Sequence, residues 1–262
     1  CPFDGATVHL VRNWFTSPTC PSGTCHALQW LATSPVQNAY VLVESNVFVS
    51  VTRGAFYVAS GSNFNNDGIL HVVNNTLDAA AAYDSFFAYI GTGQLWFESS
   101  NRLNRGVSAT FTGVMYNSTV YVSGNSMTKF CMAVTSHMVD SYIALTGNDI
   151  STLFTITAGG NITNTPIILL QNVIQSAMTF TAAALDLASI SFIDNVMPNT
   201  GTTTFSYSMW GSEFCFFNNT LGGPLSLALK AEGASVVSIS NSTFAKLVTV
   251  TQKYSRSAFQ LV

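Results

Sequence analysis

The sequence predicts an all-β fold, a right-handed single-stranded parallel β-helix of about ten coils with an asparagine ladder. Three observations predict it. The first is a recurring frame of two alternating apolar residues, an Asn three positions after the second, and a further apolar residue two beyond. Ile190, Phe192, Asn195 and Met197 show it, as do Phe214, Phe216, Asn219 and Leu221, or Val120, Val122, Asn125 and Met127. The second is its spacing. The key positions Asn13, Asn46, Asn75, Asn101, Asn125, Asn148, Asn172, Asn195, Asn219 and Ser242 are separated by 33, 29, 26, 24, 23, 24, 23, 24 and 23 residues. Internal periods of this length mark solenoids, in which each unit buries its apolar face only against its neighbours. The third is composition: 48% apolar and 8% charged residues, far below the ~25% charge of an ordinary domain.

Taken in order, each part of the frame has a physical reason. Alternation with a period of two is a strand signature, and the rows accept Val, Ile, Phe and Met where a leucine-rich repeat would insist on Leu. The chain bends at the Asn, which tolerates the left-handed conformation better than other non-glycine residues. Three short strands and their bends account for a coil of about 23 residues at ~3.3 Å per residue. Stacked in register, the Asn carboxamides donate to and accept from the coils above and below. Right-handedness follows from the rule for parallel crossovers.

One domain, residues 1–262, is expected. Val8, Leu10, Asn13 and Phe15 open the first coil, and 16–39, with Cys20, Cys25, His26 and Trp30, reads as a lateral insertion or a cap over the first coil's edge. Near Asn101 the strict frame would turn Trp96 and Glu98 inward; a one-residue bulge restores Leu95 and Phe97 to the core and turns Glu98 outward. Phe259 and Leu261 occupy the inward sites of an eleventh coil, so the chain reads as a segment cut within it from something longer.

Chemistry-bearing residues are few. Cys131 is expected in a core row with Phe154, Met178, Leu225 and Val248, and Cys215 outward; four coils apart, they do not bridge. Cys1, Cys20 and Cys25 can supply one disulfide among themselves, with one thiol left over. The same three with His26 lack paired Cys-x-x-Cys spacing, so no metal or other cofactor is expected. Sequons stand at Asn74, Asn117, Asn161, Asn218 and Asn241; three of them, Asn74, Asn218 and Asn241, directly precede the ladder on one outward row. Asp140, Asp186 and Glu232 fall in one row at every second coil, Asp149 shares a row with Arg102, Asp194 stands between Gln171 and Asn218, and the four His are isolated. His71, Phe97, Tyr121, Ala144, Ile168 and Cys215 form an unusually apolar outward row that suits a covering loop or partner. Nine scattered Lys and Arg argue against nucleic-acid binding, and no apolar run is long enough to span a membrane.

The inferred fold resembles the pectin-lyase-like superfamily, many of whose members cleave acidic polysaccharides with carboxylates gathered on adjacent coils, a convergence not found here. The phrases VSGNSMT (122–128), VVNNTL (72–77), CFFNNTL (215–221) and GASVVSISNSTF (233–244) are similar to repeats of the dispersed gene family surface proteins of trypanosomes. That resemblance implies a large glycosylated surface protein serving adhesion, and carries no catalytic or binding residue. The expectation is a non-catalytic structural or adhesive segment of a secreted or cell-surface glycoprotein, its partners further coils or copies of the chain, host or surface proteins, or glycans. The alternative is a carbohydrate-active enzyme or polysaccharide-binding module with its ligand loop at His26 and Trp30.

Overall fold

The computed structural model describes residues 4–17, 26–30, 36–50, 54–59, 64–65, 67–79, 86–90, 93–98, 100–198 and 201–262. Every regular element among them is a β-strand, and these strands pair in parallel, as a solenoid requires. One side is an eleven-stranded sheet running from Thr7–Val11 through Tyr40–Glu44 and Ile69–Val73 to Val236–Ser240 and Ala258–Leu261. The remaining strands make a second, 23-stranded sheet to which each regular coil gives one short strand, such as Val196–Met197, and one long strand, such as Thr203–Trp210. Eight of the eleven rungs, from Gln94–Glu98 onward, belong to the regular section; the sequence count of about ten coils included the longer early ones.

The alternation seen in the sequence is the packing. In Tyr40–Glu44, Val41 and Val43 are fully buried while Tyr40, Leu42 and Glu44 face out. Stacking one such pair on the next builds a single core along the shaft, with Phe192 against Phe205, Phe214 and Phe216 at ring distances of 5.1 to 5.9 Å. Aromatic pairs at these separations add to the burial of their area.

The ladder runs from Asn13 to Ser242. From Asn46 onward each Asn Oδ1 accepts twice from the Asn one coil before, as Asn172 Oδ1 does from Asn148 N (3.0 Å) and Nδ2 (2.9 Å). Its Nδ2 donates onward and also back to a carbonyl of the preceding coil, Asn172 to Leu145 at 2.8 Å. The eight rungs from Asn46 to Asn219 are at most 3% exposed. At the last rung Ser242 Oγ accepts the Asn219 N–H at 3.1 Å.

The bend is placed differently from the sequence expectation. The left-handed residue is the one before each ladder position: Arg12, Ser45, Asn74, Ser100, Gln171, Asp194, Asn218 and Asn241 have φ between 47° and 65°, and Gly124 and Gly147 fill the same position. The ladder Asn must keep its own N–H pointed at the next coil's Oδ1, so the corner is turned one residue earlier, where the side chain is outside.

Two irregularities re-aim side chains. Asn125 Nδ2 reaches Phe97 O, four before Asn101, whereas Asn148 Nδ2 reaches Val122 O, three before Asn125. The extra residue lies beyond Phe97, so Leu95 and Phe97 are fully buried and Trp96 and Glu98 face out. This is the expected bulge. It also corrects the apolar outward row, where Trp96 and not Phe97 stands between His71 and Tyr121, and Ser191 stands between Ile168 and Cys215. A register shift between Met127 and Lys129 puts Phe130 beside Phe154 and turns Cys131 outward beside Ser108 and Thr155. The core position expected for Cys131 is therefore taken by Phe130; the 23-residue spacing had hidden the shift.

Within 16–39, Leu28–Trp30 pairs with Phe56–Val58 and Val36–Gln37 with Phe64–Asn65. These segments are rungs of the shaft and not an insertion, because Leu28 and Trp30 pack onto its core. Residues 18–25 and 31–35 of that stretch lie outside the described residues.

A second ladder escaped the sequence reading. Seven residues before each regular ladder Asn stand Ser118, Ser141, Thr165, Ala188, Ser212 and Ser235, all buried. Ser118 N–H donates to Ser141 Oγ, Ser141 N–H to Thr165 Oγ1, Ala188 N–H to Ser212 Oγ and Ser212 N–H to Ser235 Oγ, at 3.1 to 3.2 Å. The signal was a repeated small hydroxyl residue at constant offset, obscured by its change between Ser, Thr and Ala.

Candidate functional site

Polar groups of three successive coils meet on the outer face of the eleven-stranded sheet. Tyr40, His71 and Glu98 come from Tyr40–Glu44, Ile69–Val73 and Gln94–Glu98. Tyr40 Oη lies 2.8 Å from His71 Nδ1, and His71 Nε2 lies 3.0 Å from Glu98 Oε2. The carboxylate accepts, so Nε2 carries the proton there; in a neutral ring Nδ1 accepts the Tyr40 O–H. Trp96 packs edge-on to His71 at 5.9 Å and donates from Nε1 to Gln94 Oε1 at 3.1 Å, while His9 meets Tyr40 edge-on at 6.3 Å. His71 and Glu98 keep side-chain exposures of 19% and 24%, and Trp96 one of 36%.

His71 is thus not isolated, as the sequence suggested. The diagonal contact to Glu98 exists only once the bulge has moved Glu98 into the outward row. Burial raises the Tyr40 phenol above its ordinary value, with the charges of Glu44 and Glu98 adding to the shift. Tyr40 is held as a neutral donor, which suits binding more than nucleophilic attack. The cluster fixes an aromatic face beside oriented polar groups.

Five other carboxylates tie coil to coil. Asp4 accepts from Asn38, Asp78 from Asn104, Asp140 from Asn164, Asp149 from Gln175 and Asp194 from Asn218, at 2.7 to 3.0 Å. Asp149 and Arg102 share a row through Ser126, as expected. Asp140 does not share the row of Asp186 and Glu232: Val139 pairs with Thr163 and Thr163 with Asp186, which puts Asp140 one position on. Among the described residues no three His, Cys, Asp or Glu gather in a way that could hold a metal ion.

The long strands carry a different outer surface. Thr155, Thr157, Thr179, Thr181, Thr204 and Ser206 form two files on three successive rungs. On one side Ser108 and Thr110 resume the files after a rung of Cys131 and Ala133; on the other Ser226 and Thr249 continue one file, and Thr251 the second beyond Ala228. The hydroxyls and methyls of these files stand on rungs ~4.8 Å apart without an intervening charge.

His26 stacks on Tyr57 at 4.6 Å and its Nδ1 lies 2.9 Å from Gly54 O, and Trp30 tilts against Phe64 at 6.3 Å. Both are engaged in packing between early coils. Cys131 and Cys215 are free, and burial, with Glu213 adding, raises the Cys215 thiol. Cys1, Cys20 and Cys25 lie outside the described residues. Asn74, Asn218 and Asn241 sit exposed at the left-handed corner before the ladder; Asn117 sits exposed and left-handed at the corner leading into Thr119–Ser123. Asn161 is half-buried on the second sheet's side. Among the described residues no helix is long and apolar enough to cross a membrane. Comparison with protein-family models, with curated proteins and with solved structures returns no match.

Proposed function

We propose that the chain is a rigid adhesive shaft, a structural segment of a secreted or cell-surface glycoprotein that presents its side faces to partners without catalysis. The observation that carries this reading is the neutral hydroxyl-lined face. An uncharged surface whose hydroxyls stand on three successive rungs and recur on rungs beyond offers many weak hydrogen bonds, and such contacts gain strength by number. Its geometry is set by the stacked long strands, in the register that the two ladders hold, so little ordering entropy is lost on contact. The Trp96 face on the other sheet gives a second, aromatic contact area. Partners of matching chemistry are glycan chains, other surface proteins and further copies or coils of the same chain. The resemblance of the repeats to trypanosome surface proteins supports the same reading, and that of the fold to pectin-lyase-like β-helices supports the alternative, a carbohydrate-active enzyme or binding module.

The test incubates the purified chain with immobilised polysaccharides and cell-surface extracts, measuring retained protein and soluble sugar products together. Retention without product is the expected result, weakened when Thr179, Thr181 and Thr204 are replaced by Lys. Release of sugar products that disappears with His71→Ala would overturn the adhesive reading in favour of an enzyme.

A further inference from the structure

Asp186, Trp210 and Glu232 occupy one outward row on three successive rungs. They line a groove of about 390 Å³ together with Asn161, Ala184 and Ser208, a volume within the usual range for ligand sites. Asn161 directly precedes Ile162, which pairs with Leu185; the residues stacked above Asn161 are therefore Ala184, Ser208 and Lys230. The floor between the sequon at Asn161 and the indole of Trp210 is thus made of small side chains. Its far end is closed by Lys230, whose Nζ lies 2.8 Å from Glu232 Oε1.

Trp210 is exposed yet held. It is 56% accessible, and its ring lies against Gly233, where a Cβ would come within 2.5 Å of Nε1. Gly233 also has φ 60°, a conformation glycine adopts without strain. Oδ1 of Asp186 is shut off from solvent and accepts no hydrogen bond from any described residue. An unpaired buried acceptor costs about 1–3 kcal/mol, a cost recovered when a donor enters the groove and the carboxylate turns about χ2.

We infer that this groove seats the chain's own N-linked glycan, attached at Asn161. Two rungs separate Asn161 from Trp210, about 10 Å along the shaft, a span suited to the first two N-acetylglucosamine units. The inner sugar lies over Ala184 and Ser208. The apolar face of the outer one stacks on the indole, and its hydroxyls and acetamide N–H donate to Asp186 and Glu232. The exposed sequons Asn74, Asn117, Asn218 and Asn241 sit at corners and none lines this groove, so only the Asn161 glycan is held in it. The inference rests on the glycoprotein reading above.

The test uses the intact chain secreted from a host that performs N-glycosylation. Site-resolved mass spectrometry gives occupancy at each sequon, and hydroxyl-radical footprinting gives the oxidation rate of Trp210. The expected result is occupancy at Asn161, with Trp210 oxidised at least about threefold more slowly than in Thr163→Val, because stacking covers most of the indole. Enzymatic removal of glycans from the wild-type protein gives the same comparison without a substitution. Endoglycosidase trimming should be slower at Asn161 than at Asn74 or Asn241, and equal to them in Trp210→Ala. Occupancy of other sequons but not Asn161, or an occupied Asn161 with Trp210 as reactive as in Thr163→Val, overturns the groove assignment and leaves the glycoprotein reading standing. Occupancy at no sequon overturns both.

Discussion

The hydroxyl of Tyr207 lies in the core beside Phe180 and Phe205, with no hydrogen-bond partner among the described residues. Burial raises its pKa well above the ordinary 10.0. Below that value both folded and unfolded chains keep the proton, so this group adds no pH dependence to stability. Above it the unfolded chain ionises first, and stability falls as pH rises, by up to about 1.4 kcal/mol per pH unit for one proton. Tyr207→Phe should remove this part of the alkaline loss and, by deleting an unpaired buried hydroxyl, stabilise the chain by about 1–2 kcal/mol at neutral pH. Urea midpoints measured from pH 7 to 11 check both, and a less stable Phe variant would show that the hydroxyl is paired in solution. Such details were not legible in the sequence: Tyr207 alternates correctly into the core, but nothing in the pattern says whether an inward phenol finds an acceptor. His71 was missed for a related reason: the bulge that turns Glu98 outward was legible, but Glu98 stands two residues along from Trp96, the register partner of His71, and the pattern does not show diagonal contacts.

Within one coil, the ladder Asn and the hydroxyl row do comparable work at different cost. Asn148 accepts two bonds from Asn125 and donates to Asn172 and Val122. Asn148→Ala would strand those groups in a dry interior and should destabilise by about 3–5 kcal/mol. Asn148→Ser should cost less, because Ser242 shows that a hydroxyl can take the backbone N–H of the rung before. Equal losses for the two variants would contradict the ladder's role as a hydrogen-bonded register. Ala188 interrupts the hydroxyl row between Thr165 and Ser212, which fill the same place in adjacent coils. Ala188→Ser should therefore add about 0.5–1.5 kcal/mol, read as a higher thermal midpoint. Gly106 has φ 101° and a Cβ there would overlap Lys129 O, so Gly106→Ala should destabilise by about 2–4 kcal/mol. The ladder was legible because residue type and spacing are both held constant along it. The hydroxyl row keeps only its spacing, and the left-handed corners keep neither side-chain type nor charge, since only the backbone there is under constraint.

Across the whole chain, the eleven rungs of one sheet make ten steps, or ~48 Å at ~4.8 Å per step. The sequence foretold this shaft because each coil repeats the same burial problem and solves it the same way. It misjudged 16–39 and Cys131, where coils of unequal length shift the frame and a period counted from the ladder alone misplaces the strand. On the proposed adhesive reading, function at this scale depends on stiffness: a shaft that bends or slips in register could not present its neutral face in one orientation. The direct test is a distance measurement by pulsed electron spin resonance between labels at Ser123 and Ser240, outward residues of one row separated by five rungs. Labels carried on bio-orthogonal side chains leave the native cysteines untouched. A narrow distribution whose centre shortens by ~4.8 Å for each coil the second label is moved inward is the predicted result. A broad distribution, or a distance that does not scale with coil number, would contradict a rigid in-register shaft.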